Sequence, residues 1–310
     1  MKTHRNESGQ SLVMTVIFLT VLVGMAALVV DAGSWFRQHR ELQATADAAT
    51  LAGAQELPTS TGLATAAAEH FAHGNTSGLG GVEISFSTNL EPNDTIRVRV
   101  SKPAPGFFSK VFGLNSVEVG ASATARTGGM QSAKYVAPIV VNVTHPMLND
   151  CGGPCLGSQY ETTIPVSETG APGAFSLLNL FGDGSGTAGA SELGDWIENG
   201  FDAELPLGGY YSAPGVKFNS NNIQESLGLR RDSDDPVMLF PVYDTLSGQG
   251  SNAEYHIIGW VPFHILSFET HGTEGSITGY FTETIWNGTL ATTSGGGGPQ
   301  FGARTVQLVE

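Results

Sequence analysis

The chain has 310 residues, of which 40% are hydrophobic and only 14% are charged, and its formal net charge is −15. An acidic surface repels phosphate groups, so nucleic acid is excluded as an expected partner. The charge is unevenly placed: residues 1–134 hold ten basic and ten acidic residues, whereas residues 135–310 hold four basic and nineteen acidic residues. We therefore expect an acidic, solvated C-terminal region.

An uncharged apolar run of nineteen residues extends from Leu12 to Val30. As a helix it is long enough to cross the hydrocarbon core of a bilayer. A cleaved secretory signal is one alternative, with Val30 and Ala32 as the small residues before a cut, but the run exceeds a usual signal and the helical pattern continues past it. A buried core helix is another alternative, but the uncharged run is long for an internal segment. We expect a membrane anchor in contact with the lipid bilayer.

The helical pattern continues without proline to Leu57. A single helix over residues 11–57 would be about 70 Å long, of which about 30 Å would lie in lipid. The chain is thus predicted to have an anchor and continuing helix over residues 1–57. Basic residues flank both ends of the apolar run (Lys2, Arg5, Arg37 and Arg40), so charge alone does not fix the orientation. The short N-terminal tail and the long downstream domain favour an N-terminus on the inner side of the membrane and a C-terminal domain on the outer side.

Residues 58–130 predict a small α+β unit next to the membrane. The pattern indicates a helix over residues 63–73, strands over residues 82–88, 95–101 and 117–125, and a short amphipathic helix over residues 107–114. Residues 130–133 are expected to be a junction.

Residues 131–294 predict an acidic, β-rich extracytoplasmic domain large enough to bury its own core. Strands are expected over residues 136–143, 175–180, 237–243, 255–266 and 276–284, and residues 190–199 give the one clear helix. Four glycines at residues 295–298 begin a linker, and residues 295–310 end in a strand over residues 305–309. The fold class is therefore α+β.

Cys151 and Cys155 are the only cysteines of the chain. In an exported domain, two thiols this close most simply form a disulfide that closes a turn. A redox pair would need a two-residue spacing and a helix start, and a zinc site would need two further ligands, with His145 as the only nearby histidine. These two interpretations are open but weaker.

Other motifs give no catalytic, cofactor-binding or metal site. His256, His264 and His271 are spaced so that they do not all face one side of a strand. The glycine-rich segment at residues 182–186 has neither the serine of a nucleophile elbow nor the ligand pattern of a calcium loop. It is expected to be a surface loop, and we expect no cofactor.

Small residues along the predicted long helix are candidates for helix packing. Gly24, Ala27 and Asp31 lie along one helical line, and small side chains at Ala44, Ala48 and Gly53 thin the helix above it. Close packing through small residues drives helix association in membranes. The alanines could instead pack against the sheet of their own domain, and Asp31 is expected to mark the membrane boundary.

The N-terminal residues resemble a known family. Gly9-Gln10-Ser11, the apolar run, and the sequences VDAG, RELQ and ADAATLAGA at residues 30–33, 40–43 and 46–54 are similar to the start of TadE/TadG-like proteins of the bacterial tight-adherence (Flp) pilus system. Residues 112–113 and 117–125 also fit the membrane-proximal domain of that family. The resemblance implies a minor pilin or pilus-assembly factor whose partners are pilins or other assembly proteins. It also implies that the anchor lies in the cytoplasmic (inner) membrane and that residues 58–130 are a pilin-like unit. Met14 stands where prepilin cleavage after Gly9 would want glutamate, which disfavours such processing.

Three function classes follow. The first is a non-enzymatic, membrane-anchored component of a Flp/Tad pilus. The alternative is a membrane-tethered extracytoplasmic binding module or adhesin. An envelope hydrolase is disfavoured, because no nucleophile, base and orienting group can be named together.

Overall fold

The computed structural model describes residues 8–166, 176–181, 188–213, 218–271, 274–292 and 300–309. They form two compact units. Unit 1 comprises residues up to Arg126 together with the chain end from Leu308, and unit 2 comprises Thr127–Gln307. A long apolar helix, few further helices and a strand-rich remainder confirm the expected α+β class.

Helix α1 extends from Ser8 to Ala54, a length of about 70 Å. The large apolar side chains between Leu12 and Val30 are 51–70% exposed. Thr15 and Thr20 in this stretch donate their hydroxyls to backbone carbonyls four residues earlier, so neither needs water. Within the described part of the chain, α1 is the one helix long and apolar enough to cross a membrane, and its apolar exposed surface suits lipid.

Unit 1 places one short helix and three antiparallel strands against the C-terminal half of α1. Its elements are α2 (Thr61–Asn75), β1 (Gly81–Ser87), β2 (Thr95–Pro105) and β3 (Ser116–Gly128), with a 3-10 turn at Ser109–Phe112. Strand β2 is central, pairing with β1 through Ile84 and Val98 and with β3 through Val98 and Ala123. The Ser60 hydroxyl caps the N-terminus of α2 by accepting from the Leu63 N–H.

Small side chains let the elements of unit 1 approach closely. Helix α1 packs on α2 and β2, and the interface is built from alanines of both helices and β-branched residues of β2. The fully buried members are Leu42, Ala46, Ala49, Ala54, Ala64, Ala68, Ala72, Ile96, Val98 and Val100. Apolar burial of this kind is the main term that stabilises the unit.

Unit 2 contains eleven strands and two helices among its described residues. In chain order these are β4 (Met130–Ala133), β5 (Val141–Asn142), β6 (Thr162–Val166), α3 (Ala190–Glu198), β7 (Leu205–Pro206), β8 (Gly208–Tyr211), α4 (Asn221–Arg231), β9 (Val237–Ser247), β10 (Glu254–His271), β11 (Glu274–Phe281), β12 (Thr284–Ile285), β13 (Gly288–Leu290) and β14 (Ala303–Leu308), with short 3-10 turns at Pro146–Leu148 and Gly250–Asn252.

The main sheet of unit 2 has the order β5-β9-β10-β11-β6, and β8 also pairs with β10. A smaller sheet has the order β13-β4-β7. Helices α3 and α4 pack on each other, and α4 also packs on β10. Aromatic rings fill the centre of the core, where Phe240 stacks on Phe263 and Phe281 meets Phe263 edge-on.

Two expected strands, over residues 136–143 and 175–180, are broken, and the described residues 176–180 form only isolated bridges. Residues 136–143 form isolated bridges and the two-residue β5 instead of one strand. Their β-branched side chains are buried, which explains the pattern, but Pro138 lacks an N–H for a ladder. Residues 130–133 form strand β4, with Met130 and Ala133 buried, and the division between the two units lies close by, between Arg126 and Thr127.

Two helical expectations also differ from the structure. Residues 107–114 contain only the 3-10 turn, because their apolar side chains point outward instead of covering a helix face. The helix at residues 190–199 is followed by a second one, α4, which buries only Ile223, Ser226 and Leu227 and so leaves a weak apolar pattern. The predicted loop at residues 182–186 and the glycine linker at residues 295–298 lie outside the described residues.

Candidate functional site

A polar stripe on α1 attaches the helix to the backbone of unit 1. Its members are Asp31, Trp35, His39 and Gln43, and a four-residue spacing places them on one face of a helix. Trp35 Nε1 donates to the Pro105 carbonyl at 3.3 Å, His39 Nδ1 lies 2.9 Å from the Gly120 carbonyl, and Gln43 Nε2 donates to the Ser122 carbonyl at 3.2 Å. The polar stripe therefore fixes the rotation of α1 relative to strand β3 and the loop before it.

Asp31 is the most buried member of the polar stripe, at 1% exposure. One carboxylate oxygen accepts from the Phe107 N–H at 3.0 Å, and the other accepts from Phe108 at 3.0 Å and Ser109 at 2.6 Å. Three successive N–H groups thus converge on one carboxylate at the start of a 3-10 turn. Hydrogen bonds to an ionised acceptor are stronger than neutral ones, so Asp31 holds this loop against α1.

The segment held by Asp31, residues 106–115, is here named the apolar loop. Gly106 N donates to the Asn115 carbonyl at 3.0 Å and closes the loop. A Cβ on Gly106 would lie 2.0 Å from Ser109 Oγ and 2.7 Å from the Leu114 carbonyl, so only glycine fits there. Gly113 has a φ of +81°, the left-handed region that glycine adopts without strain.

A groove of about 550 Å³ lies between the apolar loop and α1. Asp31 and Trp35 lie at the upper end of the groove, which is the end farther from the N-terminus of α1, and the remaining lining is almost wholly apolar. It consists of Thr20, Val23, Gly24, Ala27 and Leu28 from α1 and of Phe108, Ser109, Val111, Phe112 and Leu114 from the loop.

The candidate packing residues therefore have different surroundings. Gly24, Ala27 and Asp31 line the groove beside their own chain's apolar loop. Ala44 is exposed on α1 and Ala48 is half-buried. Gly53 is buried where α1 crosses α2 and β2, and a Cβ there would lie 2.6 Å from Ile96 Cδ1.

Sequence reasoning missed the apolar loop as the partner of Asp31. The available signals were a charged residue directly after an apolar run, followed by aromatic and amide side chains at four-residue spacing. The FFSKVFGL sequence at residues 107–114 is also unusually apolar for a loop. Nothing local connects these two segments, which lie 76 residues apart.

Unit 2 contains a separate groove of about 410 Å³ beside strands β7 and β8. Phe181, which is 48% exposed, lines it and meets Trp196 and Phe201 edge-on, with ring centroids 5.0 and 6.2 Å away. The carboxylate of Glu204 also lines it and accepts from the Ser132 and Thr289 hydroxyls. These two hydrogen bonds hold the pKa of Glu204 below its ordinary value.

The cysteines and histidines of unit 2 have separate surroundings. Cys151 and Cys155 are joined in a disulfide, with a Cα–Cα distance of 5.2 Å. His256 Nδ1 lies 2.9 Å from Asp244 Oδ1, whereas His264 stacks on Tyr280. Over the described ranges, no group of three or more His, Cys, Asp or Glu side chains is arranged to hold a metal ion.

The sequence of α1 matches a known protein family. Residues 9–56 match the family described as "Putative Flp pilus-assembly TadE/G-like". No curated protein and no solved structure matches the chain. The matched residues coincide with α1, from the apolar run through the polar stripe to Gly53. The resemblance seen in the N-terminal motifs is therefore confirmed, and the chain carries a TadE/G-like segment in its membrane-spanning helix and the continuation of that helix.

Proposed function

We propose that this protein is a non-enzymatic, membrane-anchored component of a bacterial Flp/Tad pilus, acting as a minor-pilin-like subunit or as an assembly factor. The observation that carries the proposal is the coincidence of the TadE/G-like match with one continuous helix. That helix both suits lipid and carries a folded unit fastened to it by the polar stripe.

The rigid attachment of unit 1 to α1 supports a mechanical role. Asp31 and Gln43 contact the backbone at separate points of unit 1, and Gly53 permits the closest approach of the helix to β2. Movement of α1 in the bilayer would thereby be passed to unit 1 without a flexible joint. This property is useful in a subunit that is inserted into, or guides, a growing fibre.

The proposed partner contact lies on the exposed flank of α1 at Ala44. Gly24 and Ala27 line the groove beside the apolar loop. The space next to Gly53 is filled by Ile96 and Ala64 of the same chain. Ala44 is the exposed member of the small-residue set above the bilayer. A small exposed side chain allows close approach of a second helix, such as that of a pilin or another assembly protein.

The proposed location is the cytoplasmic membrane, with a single span in α1, the N-terminus inside, and the rest of unit 1 and all of unit 2 outside. A disulfide in unit 2 supports an oxidising compartment. The acidic charge of residues 135–310 suits a solvated domain.

The test is deletion of the gene in its own host, followed by complementation. Cells without the protein are expected to lose surface pili by electron microscopy, and the wild-type gene should restore them. Ala44→Arg is expected to fail in restoration while the protein remains folded and in the membrane. Ala66→Arg, on an exposed side of α2, is the matched control and should restore pili. Normal pili in the deletion strain would refute the proposal.

A second candidate function is a membrane-tethered binding module. The observation in its favour is the groove that places the exposed Phe181 ring near the hydrogen-bonded Glu204 carboxylate. Aromatic side chains with a few well-placed polar groups are typical of a ligand pocket, and we take the ligand to be a sugar ring of a wall polymer, which offers an apolar face and hydroxyl donors. If this function is correct, Phe181→Ala should abolish retention of the full-length protein on isolated cell-wall glycan while pili persist in vivo.

A further inference from the structure

The apolar loop presents large hydrophobic side chains to its surroundings although unit 1 has a core of its own. Exposure is 83% for Val111, 72% for Phe112, 59% for Phe107, 53% for Leu114 and 47% for Phe108. Contiguous apolar surface of this kind marks an interaction site in a folded protein. The side chains do not cover one another, so what covers them must come from outside the unit.

The outward arrangement is fixed by hydrogen bonds of the loop backbone. Val111 N donates to Phe108 O, Gly113 N to Lys110 O, and Leu114 N to Ser109 O, all at 3.0–3.1 Å. The N–H groups of Phe107, Phe108 and Ser109 donate to the Asp31 carboxylate. Backbone N–H groups that are hydrogen-bonded within the protein are the kind that tolerate an apolar medium.

The apolar loop lies beside the part of α1 that spans the bilayer. Val111 and Phe112 line the same groove as Val23 and Ala27. Thr20, at the lower end of the groove, precedes Asp31 by eleven residues, which is about 16 Å along a helix axis. Because a bilayer core is about 30 Å thick, the loop lies beside the half of the span that is nearer to the sheet of unit 1.

We propose that the apolar loop is immersed in the bilayer leaflet nearer to the sheet of unit 1, and that lipid acyl chains fill the groove between the loop and α1. The apolar surface of the loop is continuous, through the groove, with the lipid-facing surface of α1. Two membrane attachments on one unit then fix its height and tilt above the bilayer, which a single helix does not. The proposal requires only that α1 spans the membrane and is independent of a role in a pilus.

Lys110 is compatible with this position. Its side chain is exposed on the same loop, and a lysine can extend its ammonium group to the phosphate level while its methylene carbons remain in the apolar layer. Trp35, at the upper end of the groove, is the kind of residue that favours the interface between the hydrocarbon and headgroup regions.

The experiment uses the full-length protein with a nitroxide spin label on a single introduced cysteine. The native cysteines are paired and do not react. Val111→Cys and Phe112→Cys are examined separately in vesicles of phosphatidylcholine and phosphatidylglycerol at a high lipid-to-protein ratio. Collision rates are measured with oxygen, which concentrates in the bilayer, and with a water-soluble nickel chelate. We expect an oxygen-to-nickel ratio severalfold higher at both loop positions than at a water-exposed site.

Two reference labels set the scale. Ala66→Cys, on the exposed side of α2, reports water, and Leu22→Cys, exposed in the span of α1, reports lipid. A nickel accessibility at Val111 equal to that at Ala66 would place the loop in water and overturn the proposal. Protection of the loop labels from both reagents would show that protein covers the groove, and would also overturn it. Both loop positions are more than two thirds exposed, and an unchanged protease pattern will show that each variant is folded.

Discussion

At the scale of single residues, Asp31 shows how one side chain connects distant parts of the chain. It follows the apolar run directly, so its position at the membrane boundary could be predicted from the sequence. Its three backbone donors at Phe107, Phe108 and Ser109 could not, because they come from a loop whose position depends on the pairing of β2 with β3. A carboxylate fits such a set of donors because it is an acceptor only.

Asp31→Asn is expected to release the apolar loop. The amide offers one acceptor oxygen and turns an NH₂ group towards N–H donors, leaving at least one buried donor unsatisfied at a cost of about 1–3 kcal/mol. Hydrogen exchange of the Phe107–Ser109 amides in detergent micelles should accelerate, and trypsin should cleave faster at Lys110. Glu41→Gln, at an exposed position of the same helix, should change neither. Unchanged exchange at these amides in Asp31→Asn would show that the carboxylate does not hold the loop.

Gly53→Ala is expected to destabilise unit 1. The new methyl group would lie 2.6 Å from Ile96 Cδ1 and 2.9 Å from the Ala64 carbonyl, and overpacking of this kind typically costs about 1–3 kcal/mol. The midpoint of denaturation, followed by protease resistance of residues 58–126, should fall. Gly33→Ala is the matched control, because no atom lies within 4 Å of its added Cβ. That variant should be neutral or slightly stabilised by the helix preference of alanine. Equal behaviour of the two variants would contradict the close packing at Gly53.

Replacement of both Cys151 and Cys155 by Ser is expected to leave unit 2 folded. The bridge closes a loop of five residues, for which chain entropy gives a stabilisation of about 2 kcal/mol or somewhat less. The denaturation midpoint should fall modestly, and pilus formation should persist. Loss of pili with the fold intact would instead indicate a redox or metal role, and mass spectrometry of the exported protein would show free thiols or bound zinc.

At the scale of elements, helices and strands were predicted well where the sequence pattern has a single physical cause. The apolar run and the absence of proline predicted α1, and strict alternation predicted β1 and β2 within a few residues. The strand predicted over residues 136–143 was wrong because an apolar, β-branched composition is found in buried segments as well as in paired strands. Helix α4 was not predicted because its sequence has only a weak apolar pattern, and its packing against α3 stabilises it instead.

Ala48→Pro is expected to unfold unit 1 without preventing membrane insertion. Ala48 lies inside α1, where proline removes a backbone donor and clashes with the preceding turn, at a cost of about 3 kcal/mol or more. The kink would separate the contacts of Gln43 from those of Gly53. Residues 58–126 should become protease-sensitive while the protein remains in the membrane fraction. Ala48→Ser should retain resistance. Full resistance in Ala48→Pro would show that α1 is not the scaffold of the unit.

At the scale of the whole molecule, the sequence separates three physical environments. Residues 12–30 suit lipid, the remainder of unit 1 is close to neutral, and residues 135–310 carry the net negative charge. This order along the chain places the acidic, disulfide-bonded unit farthest from the anchor in sequence. Orientation is the property that charge does not decide, because basic residues flank both ends of the apolar run.

The orientation is expected to be a single span in α1, with the N-terminus inside and the rest of unit 1 and all of unit 2 outside. Single cysteines are introduced by Ser8→Cys and by Glu225→Cys, the latter on an exposed side of α4, with Cys151 and Cys155 replaced by Ser. A long downstream domain is translocated largely regardless of its charge, whereas a short tail remains behind. A membrane-impermeant maleimide should therefore label only the Glu225→Cys variant in spheroplasts, and should label Ser8→Cys only after detergent is added. The opposite pattern would reverse the proposed orientation, and labelling of both sites from outside would rule out a single span.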